Sequence, residues 1–168
     1  TLWHTLSLHD ALPIWVMTAL FFAAVGMVYD RAHTRDIPSL GGFVTKLPLV
    51  AVAFIIGGFV SMGMPGLSGF VAEFPIFVGL WDGPVFEAGS INSLFDSFNY
   101  YGLIAVLAAL GIIVTAAYVL RVVGQVFFGE FNEQRFPDVP PITIFDKIAL
   151  GLLVFWLVLL GVYPRLMA

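Results

Sequence analysis

The chain contains no cysteine, which excludes disulfide frameworks, thiolate-held iron–sulfur clusters and Cys-type zinc sites. Charge is also scarce. Only 11% of the residues are charged, under half the usual share of about a quarter in soluble domains. Seven basic residues against eleven acidic ones leave a net charge of −4, so no Lys/Arg cluster is available to track phosphates and a nucleic-acid partner is excluded. What fills the chain instead is hydrocarbon: 60% of the residues are hydrophobic, enough to mark an integral membrane protein.

The first fifteen residues, TLWHTLSLHDALPIW, break this pattern. They have neither the positive n-region nor the small-residue cleavage site of a signal peptide. The decapeptide Thr5–Ile14 resembles the conceptual translation of a sequencing-adapter oligonucleotide. Residues 1–15 are therefore expected to be non-native, with native sequence from near Trp15 or Val16 onward; the alternative is a native terminus. On that expectation His4, His9 and Asp10 carry no functional weight, and no metal site is assigned.

Four apolar spans are expected over residues 16–168: about 15–29, 47–81, 100–128 and 142–163. Breakers separate them at Asp36-Ile37-Pro38, Gly41-Gly42, Asp82-Gly83-Pro84 and Pro137 to Pro141. Arg31, Arg35 and Lys46 flank the first connection, and Arg121, Arg135 and Lys147 the third. The 82–99 connection holds Asp82, Glu87 and Asp96 and no basic residue. By the positive-inside rule the 30–46 and 129–141 loops are cytoplasmic, and the 82–99 loop and the C-terminus with Arg165 face outside. Trp81, Tyr100, Tyr101 and Tyr163 fall at the outer boundary, where interfacial aromatics belong.

Residues 47–81 are too long for one crossing: an unbroken helix would measure about 52 Å against a hydrocarbon core of about 30 Å. Two full spans would invert everything downstream and erase the charge asymmetry. One span broken near 64–69, at Pro65, Gly66 and Gly69, fits both length and charge. Irregular backbone at membrane depth survives only when buried in protein or lining a polar cavity, as in ion-coupled transporters; a functionless proline kink is the alternative. Glu73, four residues beyond Gly69, is the only acid in the interior of a span. An ionised carboxylate there costs on the order of 3 kcal/mol, and intramembrane acids usually mark proton or ion pathways. Glu73 is the candidate intramembrane proton carrier, with a structural glutamate as the alternative. Phe70, Val71, Phe74 and Ile76 offer it no local partner, so one must come from another helix or from water. Ser61, Thr115, Tyr118 and Arg121 are candidates for pathway or support, with helix packing as the favoured alternative for the first three and a headgroup anchor for Arg121.

Together, YDRAHTRD (Tyr29–Asp36) with Gly41-Gly42, MPGLSGFVAEF (Met64–Phe74), AAYVLRVVGQVFFGEF (Ala116–Phe131) and LLGVYP (Leu159–Pro164) carry a family resemblance. From about residue 16 to 168 the chain resembles the subunit M family, antiporter-like membrane subunits of bacterial respiratory complex I. The resemblance implies an all-α integral membrane fold. Its four transmembrane helices, the second discontinuous, would be the last four of a fourteen-helix subunit. It implies proton translocation coupled to NADH oxidation and quinone reduction elsewhere in the complex. The partners would be other complex I membrane subunits, the lipid bilayer, protons and water, in the bacterial inner membrane. By the same resemblance no cofactor is bound by this chain; NADH, FMN, iron–sulfur clusters and quinone belong to other subunits. The family's channel glutamate aligns with Glu73, where sister subunits have lysine, and a family histidine would fall near position 13. Two alternatives stay open: a subunit of a multisubunit monovalent cation/proton antiporter, and a structural membrane-arm subunit without a proton path.

The absence of cysteine makes the orientation directly testable. With single cysteines introduced by Thr34→Cys, Gln134→Cys and Ser90→Cys, a membrane-impermeant maleimide is expected to label only the third in intact cells. The first two are expected to react only in inverted vesicles. Labelling of all three from one side would overturn the topology.

Overall fold

The computed structural model describes the backbone of residues 2–81 and 100–163, and the side chains of 11–79 and 103–163. Five helices make up the architecture: α1 (Leu2–Ala32), α2 (Pro48–Ser61), α3 (Ser68–Trp81), α4 (Tyr100–Val126) and α5 (Ile144–Val162). Short 3₁₀ turns at Ile37–Ser39 and Phe43–Thr45 shape the α1–α2 connection. Among the described residues all regular structure is helical. This is the solution hydrocarbon imposes, because a helix satisfies its backbone hydrogen bonds within its own segment.

Three stretches are long and apolar enough to cross a membrane: Ala11–Ala32, Leu103–Val126 and Ile144–Val162. The half-helices Pro48–Ser61 and Ser68–Gly79 together supply the broken crossing. Helix α1 extends past the expected 15–29 at both ends, running helically through Pro13. Exposed apolar side chains cover the outside, including Val106, Leu107, Ile113 and Val114 on α4 and Phe145, Ile148 and Phe155 on α5. Such a surface suits hydrocarbon or further helices, not water. The interior is assembled from Leu20, Val50, Leu150 and Leu157, none more than 1% exposed. Helix α1 packs on α2 and α5, and α3 on α4 and α5.

The two basic connections meet at one end of the bundle. The Val44 amide donates to the Phe127 carbonyl at 3.0 Å. Phe43 is fully buried, with Phe131 and Phe136 edge-on to it at 5.4 and 5.3 Å. The firmest tie is Arg31. Its guanidinium donates to Asp146 Oδ2 at 3.0 Å and to the carbonyls of Pro140 and Met27 at 3.0 and 2.9 Å. Asp146 in turn completes the N-terminal capping box of α5, accepting from the Thr143 amide while Thr143 Oγ1 accepts from the Asp146 amide. One carboxylate thus starts α5 and fastens it to the end of α1. The 82–99 loop, the C-terminus with Arg165, and the side chains of Trp81, Tyr100 and Tyr101 lie outside the described residues.

Arg31 has 7% side-chain exposure, so losing it strands a partly buried carboxylate. Arg31→Met is expected to lower stability by about 2 kcal/mol, the usual scale of a charged hydrogen-bonded pair. Thermal unfolding in detergent should also show Arg31→Met with Asp146→Asn costing less than the two changes summed, because they share one interaction. Strict additivity would show that the pair contributes nothing.

Candidate functional site

The break between α2 and α3 occupies Met62–Leu67, where the sequence placed it at 64–69. The difference has a local cause. Gly63, at φ +65°, takes the left-handed conformation that ends helices. Its amide donates to the Val60 carbonyl at 3.1 Å, and the Met64 amide reaches back to the Phe59 carbonyl at 3.1 Å. These are the paired bonds of a Schellman motif. Helix α2 is therefore already closed when Pro65 is reached. Pro65 and Gly66 then carry an exposed turn, and the Leu67 amide donates to the Met64 carbonyl at 3.2 Å before α3 begins.

Close backbone contacts hold the two half-helices together. Gly69 is buried, and a Cβ there would collide with the Val60 carbonyl, so only glycine lets α3 lie against the end of α2. From the other side α5 presses in through Gly161, where a Cβ would sit 2.5 Å from the Gly66 carbonyl oxygen. Inside α3, Pro75 supplies no amide donor, so the Val71 carbonyl one turn back loses its helical partner.

Glu73 projects from α3 back onto the break. A Cβ on Gly63 would lie 2.6 Å from Glu73 Oε2, which shows how closely the carboxyl approaches that backbone. Glu73 Oε2 is buried and has no hydrogen-bond partner among the described residues. The same holds for the hydroxyl of Ser68, a residue with 0% exposure at the start of α3. Beside Glu73 lies a cavity of about 120 Å³ lined by Pro13, Met17, Val60, Gly69 and Ala72, among others. Its volume admits several water molecules, and among the described residues Glu73 is the only titratable side chain on its walls. Two unpartnered polar atoms flanking an interrupted helix form a place where water, or a group from elsewhere, is needed to complete the bonding.

The remaining candidates fall elsewhere. Ser61 Oγ donates to the Gly58 carbonyl at 2.9 Å, and Thr115 Oγ1 to the Gly111 carbonyl at 3.0 Å, so both hydroxyls serve their own helices. Tyr118 and Arg121 are exposed on α4, and among the described residues Arg121 forms no ion pair. Sequence reasoning missed Gly63, Ser68, Pro75 and Gly161 as parts of the site. Gly63 alone had a readable signal, as a glycine just past an apolar helical run. Pro13 reaches the cavity wall from within the stretch expected to be non-native.

Comparison with known proteins agrees with this architecture. Residues 14–98, half of the chain, match the family described as NADH:quinone oxidoreductase/Mrp antiporter, TM. Subunit M of NADH-quinone oxidoreductase from Rhodobacter capsulatus is 33% identical over 150 residues, covering 89% of this chain and 26% of that protein. NAD(P)H-quinone oxidoreductase chain 4 of Gloeobacter violaceus is 32% identical over 153 residues, covering 88% of this chain and 27% of that protein. In fold, the chain is similar to a solved structure of the Mrp complex from Dietzia sp., with TM-score 0.73 and 22% identity over 93% of this chain and 34% of that one. The chain thus spans 26% and 27% of the length of the two curated relatives. It belongs to the NADH:quinone oxidoreductase/Mrp antiporter transmembrane family, as a segment of the subunit M type.

Proposed function

We propose that this chain carries part of a proton path through the membrane arm of a bacterial NADH–quinone oxidoreductase, with Glu73 taking up and releasing the proton. One observation carries the reading: the buried, unpartnered Glu73 Oε2 on a cavity beside a broken helix. An ionised carboxylate in hydrocarbon costs on the order of 3 kcal/mol, so a bound proton or entering water must hold that oxygen. A carboxyl alternating between those two conditions is a proton relay. The half-helix ends favour the same chemistry, because the break exposes backbone polar groups where a continuous helix would present none.

In this reading the redox chemistry belongs to other subunits, and this chain binds none of NADH, FMN, iron–sulfur clusters or quinone. Its partners are the other membrane subunits of the complex, lipid, protons and water. The 30–46 and 129–141 loops face the cytoplasm, and the 82–99 loop and C-terminus face outside. The family resemblance implies a histidine near position 13, and Pro13 lines the Glu73 cavity. We take position 13 as the neighbouring relay site, occupied in this sequence by a residue that carries no proton. Residues 1–15 are, on the same grounds, proposed to be non-native.

The test replaces Glu73 in the complete subunit within its assembled complex. Glu73→Gln is expected to lower NADH-driven proton pumping in inverted vesicles by about a hundredfold, the low end of what a positioned acid–base group contributes. Glu73→Asp should retain part of it. Normal pumping by a normally assembled Glu73→Gln complex would leave the scaffold reading standing. Proton flux that requires an opposing sodium gradient, with no dependence on NADH, would favour the cation/proton antiporter instead.

A further inference from the structure

A second cavity lies toward the other end of α1, about 18 Å along the helix from Pro13. Its volume is about 190 Å³. Apolar groups form the body: Val25 and Val28 of α1, Leu40 of the connection, Phe54 of α2, Val122 of α4 and Phe127 just past its end. The remainder of the lining is different in kind and includes Tyr29, Thr34 and Arg35. Val25 and Tyr29 are 48% and 39% exposed, so the cavity opens sideways along α1.

Depth matters here. The apolar crossing of α1 ends at Ala32. Val25 and Val28 therefore stand at acyl-chain depth, and Arg35 stands just past the hydrocarbon edge. The Arg35 guanidinium lies over the Tyr29 ring, 4.7 Å from its centroid. The sole ion pair among the described residues is Arg31–Asp146, so Arg35 has no carboxylate partner, not even its neighbour Asp36. Thr34 Oγ1 accepts from the Asp36 amide at 3.2 Å, which leaves the hydroxyl hydrogen free to donate. An apolar slot capped by an uncompensated cation and a free donor is complementary to an amphiphile with an anionic head.

We propose that this cavity is a binding site for an anionic phospholipid. The acyl segment nearest the glycerol fills the slot, and the phosphate accepts hydrogen bonds from Arg35 and Thr34. Charge complementarity selects this occupant over a neutral lipid, and the sideways opening lets it enter from the bilayer. The proposal rests on the membrane-spanning reading and is independent of the proton path.

The experiment uses the assembled complex in phosphatidylcholine vesicles. These contain a trace of either phosphatidylglycerol or phosphatidylcholine bearing a photoactivatable group near the glycerol. After irradiation, crosslinked peptides are mapped by mass spectrometry. The phosphatidylglycerol probe is expected to label the 25–40 segment about fivefold more than the phosphatidylcholine probe, the weight of one basic side chain on an anionic headgroup. Arg35→Gln should abolish that preference and Arg35→Lys should keep it. Val28→Trp, which fills the slot, should lower labelling by both probes. Equal labelling of the unaltered protein by the two probes would overturn the proposal. So would crosslinks from this segment to another polypeptide in place of lipid. Arg35 and Glu73 lie toward opposite ends of α1, so Arg35→Gln leaves pumping unchanged, and failure of the lipid site is distinguishable from failure of the relay.

Discussion

Hydrocarbon offers no hydrogen bonds, so every backbone group exposed by an interrupted membrane helix must be answered from within the protein. The Met62–Leu67 break obeys that constraint unevenly. On the α2 side the Schellman bonds of Gly63 and Met64 consume two otherwise free carbonyls. On the α3 side Ser68 and Glu73 bring polar atoms into the interior and leave them unpartnered. One side of the interruption is closed and the other is open. The cavity and the candidate relay lie on the open side.

At the opposite end of the bundle the network around Arg31 is complete. Arg31, Asp146 and Thr143 exchange hydrogen bonds that cap α5, fasten it to α1 and hold the Pro140 carbonyl in place. Phe43, Phe131 and Phe136 seal the space beside them. A polar network in which each member is satisfied fixes geometry, whereas a half-satisfied one invites exchange with water. The chain thus separates its two kinds of polarity along the membrane normal. The Arg31–Asp146 pair anchors the connecting loops, and among the described residues Glu73, half-buried at the break, holds an oxygen without a partner.

Much of this was legible in the residues. Composition gave the membrane class, and the overlong 47–81 segment with the one-sided Lys/Arg distribution required a broken crossing. Glu73 stood out as the lone acid in hydrocarbon. Less visible were features that depend on chain paths meeting in space. Gly161 lies well over eighty residues beyond Gly66 in sequence, and nothing local marks it as the point where α5 touches the break. Nothing local distinguishes Ser68, whose hydroxyl is buried without a partner among the described residues. Thr115, Tyr118 and Arg121 shared polarity with Glu73 but not its location, because helical phase turns Tyr118 and Arg121 outward on α4. The helical reach of α1 beyond 15–29 also escaped a reading based on apolar runs, since polarity alone does not end a helix.

The proximity of Glu73 to Gly63 makes the break and the acid a single unit. Gly63 is required twice. Its left-handed backbone would cost an ordinary residue about 1–2 kcal/mol, and any side chain there would enter the space held by Glu73 Oε2. The residue that terminates α2 therefore also makes room for the carboxyl. A simple kink would need the conformational role alone. The second role follows from where the carboxyl lies, against the end of α2 and on the wall of a cavity. The proposed relay gives that convergence a use, whereas a purely packing role would be served as well by an apolar side chain with no oxygen to satisfy.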